Sequence, residues 1–265
     1  MCRPALENQL SRKGENNHAK EQYDYLKTIH DVYPVNFKEA YAFAAIPARY
    51  LLENKMWKEA SGIEIYPNNF PWRNFPWQKS IVYFARLLGA VHIGNINSAK
   101  TELTNLRKMH DTLVAQKDLY KANQVNVQIN TSEAWILFKE GKDDKALKTM
   151  IAAADMEDKT TKHPVTPGEV IPAAELLGDM LMKMNKPGQA LEAYEADLKK
   201  HPKRFNGLYG AALAAEKLNN AEKANFYYQQ LANIANATDS SRPELKAARL
   251  YLKKQVIKKS LVVSL

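Results

Sequence analysis

Apolar residues recur at helical spacing throughout this chain. Leu176, Leu177, Met180, Leu181 and Met184 form one stripe of the kind that an amphipathic helix turns towards a core. A methionine-rich stripe can also make a pliable binding groove, but at this spacing core is the plainer reading. The pattern also matches itself. ELLGDMLMKMNKPGQALEAYEADL (175–198) aligns without a gap with YGAALAAEKLNNAEKANFYYQQLA (209–232), 34 residues further on. Ala190 corresponds to Ala224, Tyr194 to Tyr228 and Leu198 to Ala232. A small residue followed four places later by an aromatic suits two helices that approach closely at one point and need filling at the next. One such helix pair cannot bury its own apolar face, so it must stack on neighbours in a linear array, each unit touching only the adjacent ones.

The same template, a Gly or Asn turn and then a small residue, recurs towards the N-terminus. It finds GKDDKALKTMIAAA with Ala146, GNINSAKTELTNL with Ala99, NKMWKEA with Ala60 and KGENNHAKEQYDYL with Ala19. From Ala19 to Ala224 the spacings are 41, 39, 47, 44 and 34. Only the last is the bare unit; the others add loop. IYPNNFPWRNFPW (65–77) is dense in Pro, which cannot continue a helix. DKTTKHPVTPGEVIP (158–172) predicts a long loop, and ATDSSRPELK (237–246) a helix start with Ser241 as N-cap and Pro243 in the first turn. Too few residues precede Gly14 for a capped helix, so the opening repeat reads as truncated, with self-association expected through that end. The organisation expected is one array over 1–259 and a tail over 260–265.

These features resemble a known family. The helix-pair markers, with AIPARYLLE (45–53), FPW (70–72 and 75–77) and KHPVTPGEVIPAAELLGDML (162–181), are similar to bacterial tetratricopeptide repeat (TPR) proteins over most of the chain. The resemblance implies an all-α fold: a right-handed TPR-type α-solenoid of about six helix pairs with a C-terminal capping helix. It implies a scaffold for protein–protein contact, without enzymatic activity or cofactor. Relatives are generally longer at the N-terminus, so the chain reads as the C-terminal part of a longer member. In such arrays the first helix of each pair lines a concave groove. Placing each pair by its marker alanine gives Arg49, Phe84, His92, Gln128, Thr131, Trp135, Lys139, Glu175, Asp179, Lys183, Asn206, Tyr209 and Lys217 as groove candidates. Trp135 and Tyr209 are the expected anchors for a peptide, although Trp135 reads equally well as a packing residue. A carboxylate clamp of the chaperone-binding type is disfavoured, because Glu175 and Asp179 stand where cations are required. His163, in the HPVTPG loop, is the one histidine with a candidate role, against the simpler reading of a loop stiffened by Pro164 and Pro167.

Composition narrows the alternatives. The net charge is +9, mostly from Lys mixed with Glu and Asp along helices. The densest clusters are KKHPKR (199–204) and Lys246, Arg249, Lys253, Lys254, Lys258 and Lys259. A solvated face is the first reading of both, and binding of an anion or nucleic acid through the last helix the alternative; nucleic acid is the less expected partner. Cys2 is the only cysteine, and the histidines show no metal-ligand spacing, so no metal is expected. No phosphate-binding loop, dinucleotide fingerprint or nucleophile elbow occurs. Glu157 and Asp158 read as a solvated helix end. No apolar run predicts a membrane span and no signal peptide is visible. Cytoplasmic residence is therefore expected, or an exported or periplasmic one if a longer parent carries a leader. The functional expectation is a non-enzymatic scaffold with a protein or peptide partner. Its rival is a structural segment of a longer solenoid that has no ligand site of its own.

Overall fold

A computed structural model describes residues 16–160, 169–235 and 242–263. Of these, 78% are helical and none is in a strand. The helices are α1 (Asn16–Leu26), α2 (Phe37–Glu53), α3 (Trp57–Ser61), α4 (Pro76–His92), α5 (Ile96–Ala115), α6 (Leu119–Lys139), α7 (Asp143–Asp158), α8 (Ala173–Lys183), α9 (Pro187–Lys200), α10 (Phe205–Lys217), α11 (Ala221–Ala235) and α12 (Pro243–Val263). Local chemistry starts several of them. Asn36, Asn95 and Asp118 accept hydrogen bonds from the backbone N–H of Lys38, Ser98 and Lys121, satisfying donors that a helix start leaves open. Pro76 and Pro187 lie in the first turns of α4 and α9, where a missing N–H costs nothing.

One turn recurs. Lys55, Gly94, Lys117, Gly141, Asn185 and Asn219 all have φ between 55° and 84°, each in the middle of a three-residue connection. After each, a backbone N–H reaches five residues back: Met56 to Leu51, Asn95 to Ala90, Asp118 to Leu113, Lys142 to Leu137, Lys186 to Leu181 and Asn220 to Ala215, at 2.8–3.0 Å. This is the Schellman closure of a helix end. Connections this short bring consecutive helices back alongside one another. Five of the six join the two helices of a predicted pair; the Lys117 turn joins α5 to α6.

Packing follows the predicted markers. Ala19, Ala60, Ala99, Ala146, Ala190 and Ala224 lie on α1, α3, α5, α7, α9 and α11, and all six are completely buried. The aromatic after the marker fills the adjacent space. A Cβ on Gly178 of α8 or Gly210 of α10 would lie 2.6 or 2.4 Å from the Tyr194 ring, so both helices close on that ring only because they carry glycine there. Each helix packs on the next, and α2, α4, α6, α8 and α10 also pack on one another in succession.

Several expectations change. The predicted loop over 65–77 ends in a 3-10 turn, Trp72–Asn74, and Pro76 and Trp77 already belong to α4. Within the predicted tail over 260–265, the helix α12 continues as far as Val263. The residues ahead of α1, on which the truncation of the first repeat was read, Ser241 and the HPVTPG segment with His163 lie outside the described residues. Contact between neighbours alone does not hold either: Glu53 at the end of α2 bonds Arg204 and Asn206, 151 and 153 residues away, at the start of α10.

Candidate functional site

Residues from the first helices of the predicted pairs, with flanking segments, form a closed part and an open part. In the closed part, Arg204 donates to both oxygens of Glu175, Nε to Oε2 at 2.7 Å and Nη2 to Oε1 at 2.8 Å, and Nη2 also reaches Glu53 Oε1 at 2.8 Å. Asn206 donates to the backbone oxygen and carboxylate of Glu53, and accepts from Arg242 at 2.6 Å. Arg242 lies over the Phe205 ring, 4.1 Å from its centroid, and pairs with Glu244 at 3.1 Å. The five residues Glu53, Glu175, Arg204, Asn206 and Arg242 are each at most 9% exposed. Burial pushes the Glu53 carboxyl up despite Arg204. Burial also works against the charge on Glu175, but the bidentate Arg204 outweighs it and holds that carboxyl below its ordinary range.

The open part is a pocket between α4 and α6. Trp77, Ile81 and Phe84 come from α4; Gln124, Val127, Gln128 and Thr131 from α6; Glu157 and Thr160 from the end of α7 and just beyond it. Glu169, Val170 and Ile171 complete the wall ahead of α8. The lining is half apolar and half polar, six residues of each kind, so apolar surface stands beside convergent hydrogen-bonding groups. Gln128 Oε1 is shielded from solvent and accepts no hydrogen bond. Glu157 sits at the pocket's inner edge and accepts from the Ala173 N–H at 2.6 Å. Burial, then repulsion from Glu169, raises its carboxyl to about 8. A solvated helix end is therefore the wrong description of Glu157, because α8 and the 169–171 segment cover it. Behind it, His201 Nδ1 pairs with Asp197 Oδ1 at 2.7 Å. His201 Nε2 lies 3.2 Å from Glu169 Oε2, close enough for charge pairing though poorly aligned for a hydrogen bond. Burial opposes the imidazolium, but these two carboxylates outweigh it and raise His201 to about 9.

The predicted groove residues scatter over these surroundings. Phe84, Gln128 and Thr131 line the pocket. Glu175 and Asn206 belong to the closed cluster, with Tyr209 beside it, half-buried and 5.9 Å from the Lys55 ammonium. Asp179 accepts from the Tyr194 hydroxyl at 2.6 Å, and burial raises its carboxyl. Arg49 is buried and donates to the Tyr41 hydroxyl at 2.6 Å. Trp135 is completely buried against His92 and Phe138, so as an exposed anchor it is corrected: its ring is core. His92 stacks on Trp57 with centroids 3.9 Å apart. Burial and then the cations of Lys183, Lys139 and Lys55 lower it to about 4, so it is a neutral ring whose Nδ1–H donates to the Leu88 carbonyl. Lys139, Lys183 and Lys217 are exposed in the last turns of α6, α8 and α10, where a cation complements the helix dipole. Neither a scan against protein-family models nor a search of curated proteins finds a match to this chain.

Glu53, Arg204 and Arg242 escaped the sequence reading. Arg204 stands in KKHPKR, read as a surface cluster; Lys199, Lys200 and Lys203 are indeed exposed, but His201 and Arg204 are buried. The available signal was an arginine among lysines directly ahead of an apolar helix start, since Arg rather than Lys is the residue that binds carboxylates in a bidentate way.

Proposed function

We propose that this chain is a TPR-type helical-repeat scaffold, a right-handed solenoid without enzymatic activity, that holds an extended segment of a partner protein in the pocket between α4 and α6. The repeated Schellman turns, the six buried marker alanines and the succession α2–α4–α6–α8–α10 support the architecture. One observation carries the binding role: the pocket sets the side-chain amides of Gln124 and Gln128 beside the apolar residues Trp77, Ile81, Phe84 and Val127. A side-chain amide pairs with the backbone of a bound segment, while the apolar residues take its side chains.

The placement of the pocket narrows the reading. A peptide running the whole length of a concave groove would meet the closed cluster at Glu53, Glu175 and Arg204, so the segment bound is short and lies at the α4–α6 end. The test is recovery of a partner from the native host with the wild-type chain and with Gln128→Leu, a change close in shape that deletes the acceptor. Partner recovery should fall about tenfold, as loss of one buried hydrogen bond predicts, while reversal of charge at Lys253 and Lys254 leaves it unchanged. Equal recovery with Gln128→Leu removes the pocket from the mechanism and leaves the structural-segment reading.

A further inference from the structure

The outer face of α12 is at once basic and apolar. Lys246, Arg249, Leu250, Lys253, Lys254 and Val256 are all exposed, Leu250 at 55% and Val256 at 68%. The inner face fixes the helix in place. Leu245 and Ala248 are buried in the core shared with α11, and Tyr251 meets Tyr228 with centroids 4.7 Å apart. Residues three and four apart are neighbours on a helix, so Leu250 lies among Lys246, Lys253 and Lys254, and Val256 stands beside Lys253. From Lys246 to Val263 the sequence contains no Asp or Glu, and adds Lys258 and Lys259. The acid at the helix start, Glu244, is engaged by Arg242 at 3.1 Å and Lys55 at 3.5 Å.

We propose that this face docks on an anionic lipid surface, with the lysines at the headgroups and Leu250 and Val256 entering the boundary with the acyl chains. Charge complementarity selects an anionic partner, and the interleaved aliphatic side chains select lipid over nucleic acid. A phosphate backbone gains nothing from Leu250 and Val256 and is better matched by Arg than by Lys. A headgroup layer over hydrocarbon uses both kinds of residue. Lysine stems also suit this geometry, since they cover apolar surface while the ammonium stays in water. The contact is a surface one. No helix among the described residues is long and apolar enough to cross a membrane. The proposal is independent of the pocket between α4 and α6 and shares no residue with it.

Flotation of the full chain with phosphatidylcholine vesicles, with and without phosphatidylserine, tests it. The chain should float with the phosphatidylserine vesicles and lose that association as salt is raised, because screening weakens exposed charge pairing. Lys253→Glu with Lys254→Glu should weaken it about tenfold or more, at roughly 1 kcal/mol for each basic residue near such a surface. Leu250→Ser with Val256→Ser, which keeps every charge, should also weaken it measurably. Both pairs are exposed, and an unchanged circular dichroism spectrum confirms that the fold survives. Equal flotation with pure phosphatidylcholine, or indifference to both variant pairs, would overturn the proposal. So would binding of an oligonucleotide by a chain that ignores the vesicles.

Discussion

Single residues set the two repeated devices of this fold, the left-handed turn and the small-residue contact. Lys117 adopts φ 60° on an exposed turn, a conformation that disfavours a side chain with a Cβ. Lys117→Gly should therefore stabilise the protein by about 1 kcal/mol, read as a higher melting temperature. Lys55 is the poorer choice for the same test, because its ammonium also faces Glu244 and Tyr209. The close contacts behave oppositely. Gly210→Ala places a Cβ 2.4 Å from the Tyr194 ring, which Gly178 confines from the other side. The ring cannot move away, and a loss of about 1–3 kcal/mol is expected in urea denaturation. Ala224→Leu should cost a similar amount, since that site is completely buried. Ala224 was legible in the sequence as a small residue four places before Tyr228; Gly210 was not, because its contact with Tyr194 joins two neighbouring pairs.

At the level of elements, the seam where α7, α8 and α9 meet carries a pH dependence. Glu157 titrates near 8 in the folded chain against an ordinary 4.5, and His201 near 9 against 6.5. Both pKa values are raised on folding, so the folded state holds the extra protons. The stability they contribute is fully present at low pH, and it is lost as pH rises from 4.5 through about 8 for Glu157 and from 6.5 through about 9 for His201. Glu157→Gln mimics the protonated acid and cannot ionise. Between about pH 6 and about pH 9 the wild-type chain should lose roughly 2 kcal/mol more than this variant, as urea titrations at the two pH values will show. Equal losses would mean that Glu157 is not protonated in the folded chain. The sequence concealed this seam. Glu157, Glu169 and His201 belong to different segments, and only the stacking of α8 and α9 over the end of α7 puts them within reach of one another.

At the scale of the whole molecule, the cluster around Arg204 ties the end of α2 to α8 and α10. Arg204→Met leaves the Glu53 and Glu175 carboxylates buried without their cation, which should cost about 3–5 kcal/mol. Faster hydrogen exchange at the end of α2 and the start of α10 would report the opening. Adding Glu53→Leu and Glu175→Leu to that variant should restore much of the stability, since an apolar cluster of similar volume removes the desolvation cost. By itself the sequence determined the helices, the helix-pair register and the six buried alanines, because helical periodicity, turn chemistry and small-residue contacts are written within a few tens of residues. It also placed Phe84, Gln128 and Thr131 on one face. Only the tertiary structure decided which part of that face is open. The contact of Glu53 with Arg204 and Asn206 joins residues 151 and 153 positions apart, a separation that no local pattern records. Contacts between helices likewise bury Trp135 against His92 and seal Glu175 and Asn206 into the closed cluster, while the pocket between α4 and α6 stays open.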